Sequence, residues 1–124
     1  MNALTVVLLG LAGGLGAVTR FVVDGVVRAR FRSALPVGTI AINVSGSFLL
    51  GVIAGATLHG APAALQAIAG TGFLGGYTTF STASVETVRL VQAGRVATAA
   101  VNALGTLALA LAGAALGLLA GSLL

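Results

Sequence analysis

Charge is scarce in this chain. Only 6% of its 124 residues are Asp, Glu, Lys or Arg, against roughly 25% in an ordinary soluble domain. A soluble protein this small cannot cover its surface with so few charges. Cysteine is absent, which excludes disulfides and thiolate metal sites. The opening MNALTVVLLGLAGG lacks the basic n-region of a cleaved signal, so it is expected to be a retained first helix. No nucleophile–base pair and no metal-ligand cluster stands out, so an enzyme is not expected. No soluble domain, long linker or repeat of 20 to 50 residues interrupts the chain.

What is present is apolar. Hydrophobic residues make up 58% of the chain. No charged side chain occurs in 1–19, in 33–85 or in 96–124. A spanning helix needs about 20 mostly apolar residues. The middle gap has room for two spans, with LHGAPAAL at 58–65 as the turn between them. The sequence therefore predicts an all-α membrane protein, one domain over 1–124. Its four spans fall at about 3–27, 36–58, 64–90 and 96–122. The apolar runs are continuous rather than alternating, which argues against a β-barrel. In this setting the formal charge of +4 is a topology signal, and no nucleic-acid partner is expected.

Glycines recur at four-residue spacing: Gly10 and Gly14, Gly51 and Gly55, Gly72 and Gly76, then Gly113, Gly117 and Gly121. Such spacing lets helices approach closely, which matters where lipid gives no hydrophobic drive to associate. Four short helices enclose little room, so a polar pathway is expected between subunits and a dimer is the default.

Polar groups inside a span need a partner or a purpose. In PVGTIAINVSGSF (36–48), Thr39 and Asn43 are four apart and share a helix face. Asn43 is read either as interhelical glue or as a donor to a ligand. In GGYTTFSTASVE (75–86), two glycines precede Thr78, Thr79, Ser81, Thr82 and Ser84. Back-bonding to the preceding turn explains one or two such hydroxyls, not a run that covers every face. A helix broken near Gly75–Thr78 resolves this, because half-helix ends there present free amides or carbonyls to an ion. Phe80 inside the run can pack, or turn its positive ring edge to an anion. Asn102 and Thr106, four apart, are read as glue or as a pathway rail. His59 is expected in an exposed loop, and Glu86 with Arg89 as a surface pair at i, i+3. Arg20 either pairs with Asp24 at the interface or stands as a fixed charge that gathers anions.

The stretches PVGTIAINVSGSFLLG and GFLGGYTTFSTASVE, with Arg20 upstream, resemble the CrcB/Fluc family of fluoride channels. The resemblance covers essentially the whole chain, and GG-x-TTFST is its specific part. It implies an antiparallel dimer in a bacterial cell membrane, with two narrow fluoride pathways at the interface. It also implies a structural sodium ion held by the Gly75 and Thr78 carbonyls. Asn43 and Phe80 correspond to pore residues, Thr79, Ser81 and Thr82 to the polar segment, Glu86 to the acidic residue after the break, and Arg20 to the vestibule arginine. Thr39 is added to the pathway from its spacing. Fluoride entering as neutral hydrogen fluoride ionises inside, and an inside-negative potential then drives the anion out through a pore.

Two departures sharpen this expectation. The family pattern TTFSTF reads TTFSTA here, so Ala83 replaces a second pore phenylalanine. The charges are also lopsided. Arg28, Arg30, Arg32, Arg89 and Arg95 sit in or beside the first and third connections, while the termini and the 58–65 turn carry no Lys or Arg. The positive-inside rule places those connections in the cytoplasm and both termini outside. One fixed orientation implies pairing with an oppositely inserted homologue, a homodimer being the alternative. The rival functions are a small multidrug-type exporter, a cation channel and a non-conducting partner subunit. The first needs an embedded carboxylate, and Asp24 and Glu86 lie near span ends. The second lacks a carboxylate ring.

Overall fold

The computed structural model describes residues 1–124. It is helical throughout, with no strand. Helix α1 spans Ala3–Arg30. The Asn2 side chain caps it by accepting from the Thr5 N–H at 2.8 Å, and Arg28 and Arg30 in its last turn complement the helix dipole. Helix α2, Val37–Leu58, starts directly after Pro36, where a missing N–H costs nothing. It ends at His59, followed by Gly60 at a φ of +109°, a left-handed turn that glycine makes without a side-chain clash.

Helix α3 runs over 63–77. Its centre, Gln66–Leu74, is π-helical, a wide turn with i→i+5 bonds often found near functional sites. The helix stops at Tyr77. Thr78 and Thr79 are extended, at ψ values of 158° and 123°. Helix α4, Phe80–Gln92, then resumes with Thr79 as its N-cap. Helix α5 covers Val96–Ser122 and carries a second π-helical stretch, Val101–Gly105. Three helices, α1, α2 and α5, are long and apolar enough to cross a membrane. Helices α3 and α4 together make the fourth element, so the chain is a multi-pass membrane protein.

The helices pack in two main pairs, α1 on α3 and α2 on α5. Glycine decides both. A methyl at Gly117 or Gly121 would overlap the carbonyls of Phe48 or Val52, and one at Gly51 would overlap the Ala114 carbonyl. On the other pair, a methyl at Gly76 would overlap the Gly13 carbonyl, and one at Gly16 the Phe73 carbonyl. These contacts bring backbone against backbone, where side chains would hold helices apart. Two glycines differ from the spacing rule. Gly10 and Gly14 have open space around them, and Gly13 and Gly16 make the contacts on α1 instead. Gly76 is helical, so its task is close approach rather than breaking the helix.

Little of the chain is interior. Only 16 of 124 residues are buried, with Ile42, Leu74 and Tyr77 forming the core cluster. Leucine, valine and phenylalanine side chains cover the outside, as a lipid or subunit environment requires.

The charges gather at one end. Arg28 in the last turn of α1 reaches Glu86 at the middle of α4 at 2.7 Å, so a side-chain ion pair links the two helices. Arg30, Arg32, Arg89 and Arg95 follow in the adjoining turns. Neither Met1, the turn at 58–62 nor the last residues carry a charged side chain.

Candidate functional site

The junction between α3 and α4 is held from outside the helix. Asn43 of α2 donates from Nδ2 to the Thr79 carbonyl at 2.7 Å and accepts from the Thr79 N–H at 2.8 Å. One side-chain amide thus satisfies both backbone groups of Thr79, which is itself buried. One Nδ2 hydrogen of Asn43 remains for another acceptor.

This pairing has a consequence one turn earlier. In an unbroken helix the Thr79 N–H would bind the Gly75 carbonyl. Here it binds Asn43. Likewise the Thr82 N–H, which would bind the Thr78 carbonyl, goes to Thr79 Oγ1 at 3.2 Å. Gly75 and Thr78 therefore both lose the donor that a continuous helix would supply. The Thr78 side chain does not fill the gap, since its hydroxyl donates to the Leu74 carbonyl at 2.9 Å.

Two cavities meet at Thr79. The larger, about 800 Å³, is an open groove between α2, α3, α4 and α5. Asn43, Gly75, Thr78, Thr79 and Phe80 lie on its wall. Phe80 is 87% exposed in the single chain, so its ring has no packing partner within its own subunit. Ala83, Ser84 and Thr87 continue the same face of α4 into the groove. The smaller cavity, about 290 Å³, is lined by Arg20 and Asp24 of α1, Thr39 of α2, and Thr79 and Thr82. The hydroxyls of Thr79, Ser81 and Thr82 cluster between the two, with Thr79 Oγ1 at 3.3 Å from Ser81 and 3.2 Å from Thr82.

Sequence and structure part ways at the ion pairs. Asp24 pairs with Arg28 at 2.7 Å, not with Arg20. Glu86 pairs with the same Arg28, not with Arg89. Glu86 faces α1 and is largely covered, whereas Arg89 points away and is exposed. Glu86 lines neither cavity. Asn102 donates to Thr87 Oγ1 at 2.8 Å and so ties α5 to α4. His59 is exposed, with Nδ1 2.9 Å from the Gly55 carbonyl at the end of α2. The spacing rules missed Gln66 and Thr71, which also line the groove. The signal for Gln66 was present: a lone amide in an apolar run. Its Oε1 and the Thr106 hydroxyl are buried without a protein partner.

The family model described as CrcB-like protein, Camphor Resistance (CrcB), matches residues 7–118. The chain belongs to the CrcB family. Among relatives of this CrcB chain, one from Leifsonia xyli subsp. xyli is 52% identical over 124 residues. The match covers 99% of this chain and 90% of that protein, which is named fluoride-specific ion channel FluC 1. A second, from Cutibacterium acnes, is 51% identical, covers 90% of this chain and 93% of its own length, and is named fluoride-specific ion channel FluC 2. A third, fluoride-specific ion channel FluC from Syntrophotalea carbinolica, is 44% identical, with 90% and 93% covered. The CrcB chain thus stands among channels and not among enzymes.

Proposed function

We propose that this chain is a subunit of a fluoride-selective channel that lets the anion leave the cytoplasm passively. The observation that carries this reading is the junction at Thr79. Asn43 holds it open, hydroxyls cluster on it, and an unpacked phenyl ring stands beside it in a groove. Fluoride is small and strongly hydrated. Replacing its water needs strong donors, and the spare Asn43 amide hydrogen, the Thr and Ser hydroxyls and the positive ring edge of Phe80 supply them. None carries a full charge, so the ion is not trapped. The relatives named as fluoride-specific channels support the same choice of anion.

The Gly75 and Thr78 carbonyls suit a structural sodium ion. Carbonyls at a half-helix C-terminus carry partial negative charge and coordinate such ions in other membrane proteins. Both line the groove, and both have lost their helical donors. Bound there, sodium would fix the end of α3 against whatever closes the groove.

The groove is open along one side, and its completion falls to a second subunit in antiparallel orientation. The basic end of this chain is assigned to the cytoplasm and both termini to the outside. A chain with one orientation needs an oppositely inserted homologue. Ala83 on the groove wall fits that pairing, since the partner's ring would fill the space a second phenylalanine occupies in the family pattern. The same residue favours a second reading, in which this chain is the non-conducting half of the pair.

Fluoride-electrode recording on liposomes tests both. Efflux is expected when the chain is reconstituted with an oppositely oriented homologue. Full efflux from this chain alone would remove the need for that partner. Absence of fluoride selectivity over chloride in the paired preparation would overturn the proposed function. A C-terminal reporter is expected on the outside only, and finding it on both sides would overturn the fixed orientation.

A further inference from the structure

The chain has only two carboxylates, Asp24 and Glu86. Both are bonded to one guanidinium. Arg28 Nε donates to Asp24 Oδ1 and Nη2 donates to Glu86 Oε2, each at 2.7 Å. Arg20 is left without any ion pair, although Asp24 lies one turn away on the same face of α1 and lines the same cavity. The start of α2 presses on this arrangement. A methyl at Gly38 would overlap Asp24 Oδ1, the atom that Arg28 holds.

We infer that Arg28 is a positioning residue whose task is to occupy both carboxylates, so that Arg20 stays uncompensated in the smaller cavity and open to an anion. This rests on the proposed function, together with the family resemblance that makes Arg20 the vestibule arginine, a fixed charge that gathers anions. Four residues apart, Arg20 and Asp24 are at the spacing at which helical ion pairs form. Such a pair would cancel the positive charge where an anion enters. With Arg28 in place, Asp24 is turned toward the end of the helix instead. The cluster of Asp24, Arg28 and Glu86 keeps a net charge of −1, but it is centred on Arg28, about 12 Å along the helix from Arg20. An anion in contact with Arg20 feels the near charge more strongly than the far one. Removing Arg28 raises the cluster to −2 and frees Asp24 to turn back.

The test compares R28Q, R28K and the double variant D24N/R28Q, each as full-length chain reconstituted with the partner that gives efflux. R28Q is expected to lower efflux at sub-saturating fluoride by about 10-fold, the low end of the enrichment a charged cleft produces. D24N/R28Q is expected to recover most of it, and R28K to stay near the native level. Native efflux from R28Q, or no recovery in a double variant that elutes as the native protein does, overturns the inference. A second readout does not depend on conduction. The ¹⁵N–¹H signal of Arg20 Nε is expected to shift in R28Q, as Asp24 closes on it, and to return in D24N/R28Q. A signal that stays in place overturns the inference even if the native chain carries no fluoride, whereas failure of native efflux alone counts against the proposed function.

Discussion

Replacing Asn43 by alanine removes both bonds to Thr79 at once. Measured by double-mutant cycles, a side-chain hydrogen bond inside a membrane protein averages only about 0.6 kcal/mol, so two contribute about 1.2 kcal/mol. N43A does more than delete them. It leaves the buried N–H and C=O of Thr79 without partners, and each such group costs about 1–3 kcal/mol. The backbone can recover part of this by returning the Thr79 N–H to the Gly75 carbonyl, which would lengthen α3 and close the junction. A net loss of about 2–4 kcal/mol is expected on these terms. N43D should be no better. It retains an acceptor for the N–H but sets a carboxylate oxygen against the Thr79 carbonyl. The assay pairs reversible unfolding in lipid or detergent with fluoride efflux from liposomes. Both variants are expected to be destabilised and to lose efflux. If N43A unfolds within about 0.5 kcal/mol of the native protein and conducts normally, Asn43 does not hold the junction and the reasoning fails.

Other expectations follow from the packing and the groove. G117A should lower stability by about 1–3 kcal/mol, because its methyl meets the Phe48 carbonyl. G14A, in open space, should leave folding within about 0.5 kcal/mol of native, as read by thermal unfolding. F80A should also leave stability within that range, since the ring is exposed, yet abolish efflux in the electrode assay. A83F restores the family pattern and is expected to raise efflux from this chain's side of the groove, with no change supporting the non-conducting reading. Replacing sodium with a large organic cation on both sides of the liposome is expected to slow efflux in parallel with loss of the dimer on gel filtration.

Apolar length and breakers marked the four elements well, because covering a membrane core constrains composition directly. What they did not mark was rotation about each helix axis. Gly10 and Gly14 have the spacing of a contact, but the face of α1 that meets α3 carries Gly13 and Gly16. Spacing alone does not say which face a neighbour takes. The same gap misplaced the ion pairs. Glu86 and Arg89 obey the helical i, i+3 rule, yet α1 approaches on the Glu86 side and Arg28 arrives first. A partner 58 positions away leaves no local trace. The candidates Asn43, Thr78, Thr79, Phe80 and Gly75 share one groove, and Arg20, Thr39 and Thr82 share the other cavity. Glu86 stands outside both. The π-helical turns at Gln66–Leu74 and Val101–Gly105 had no signature in composition or spacing.

The gathering of charge at one end has a consequence for insertion. Six arginines and two carboxylates leave a net +4, and all of it lies toward the end that Arg28 and Glu86 join. Turning the chain over would carry that charge through the membrane voltage. At about 2.3 kcal/mol per charge per 100 mV, four charges amount to about 9 kcal/mol. That exceeds the stability of many small domains. On the proposed orientation, an energised membrane would hold the chain the way it was first threaded, and a pool of both orientations would call for a second gene product rather than a second chance at insertion.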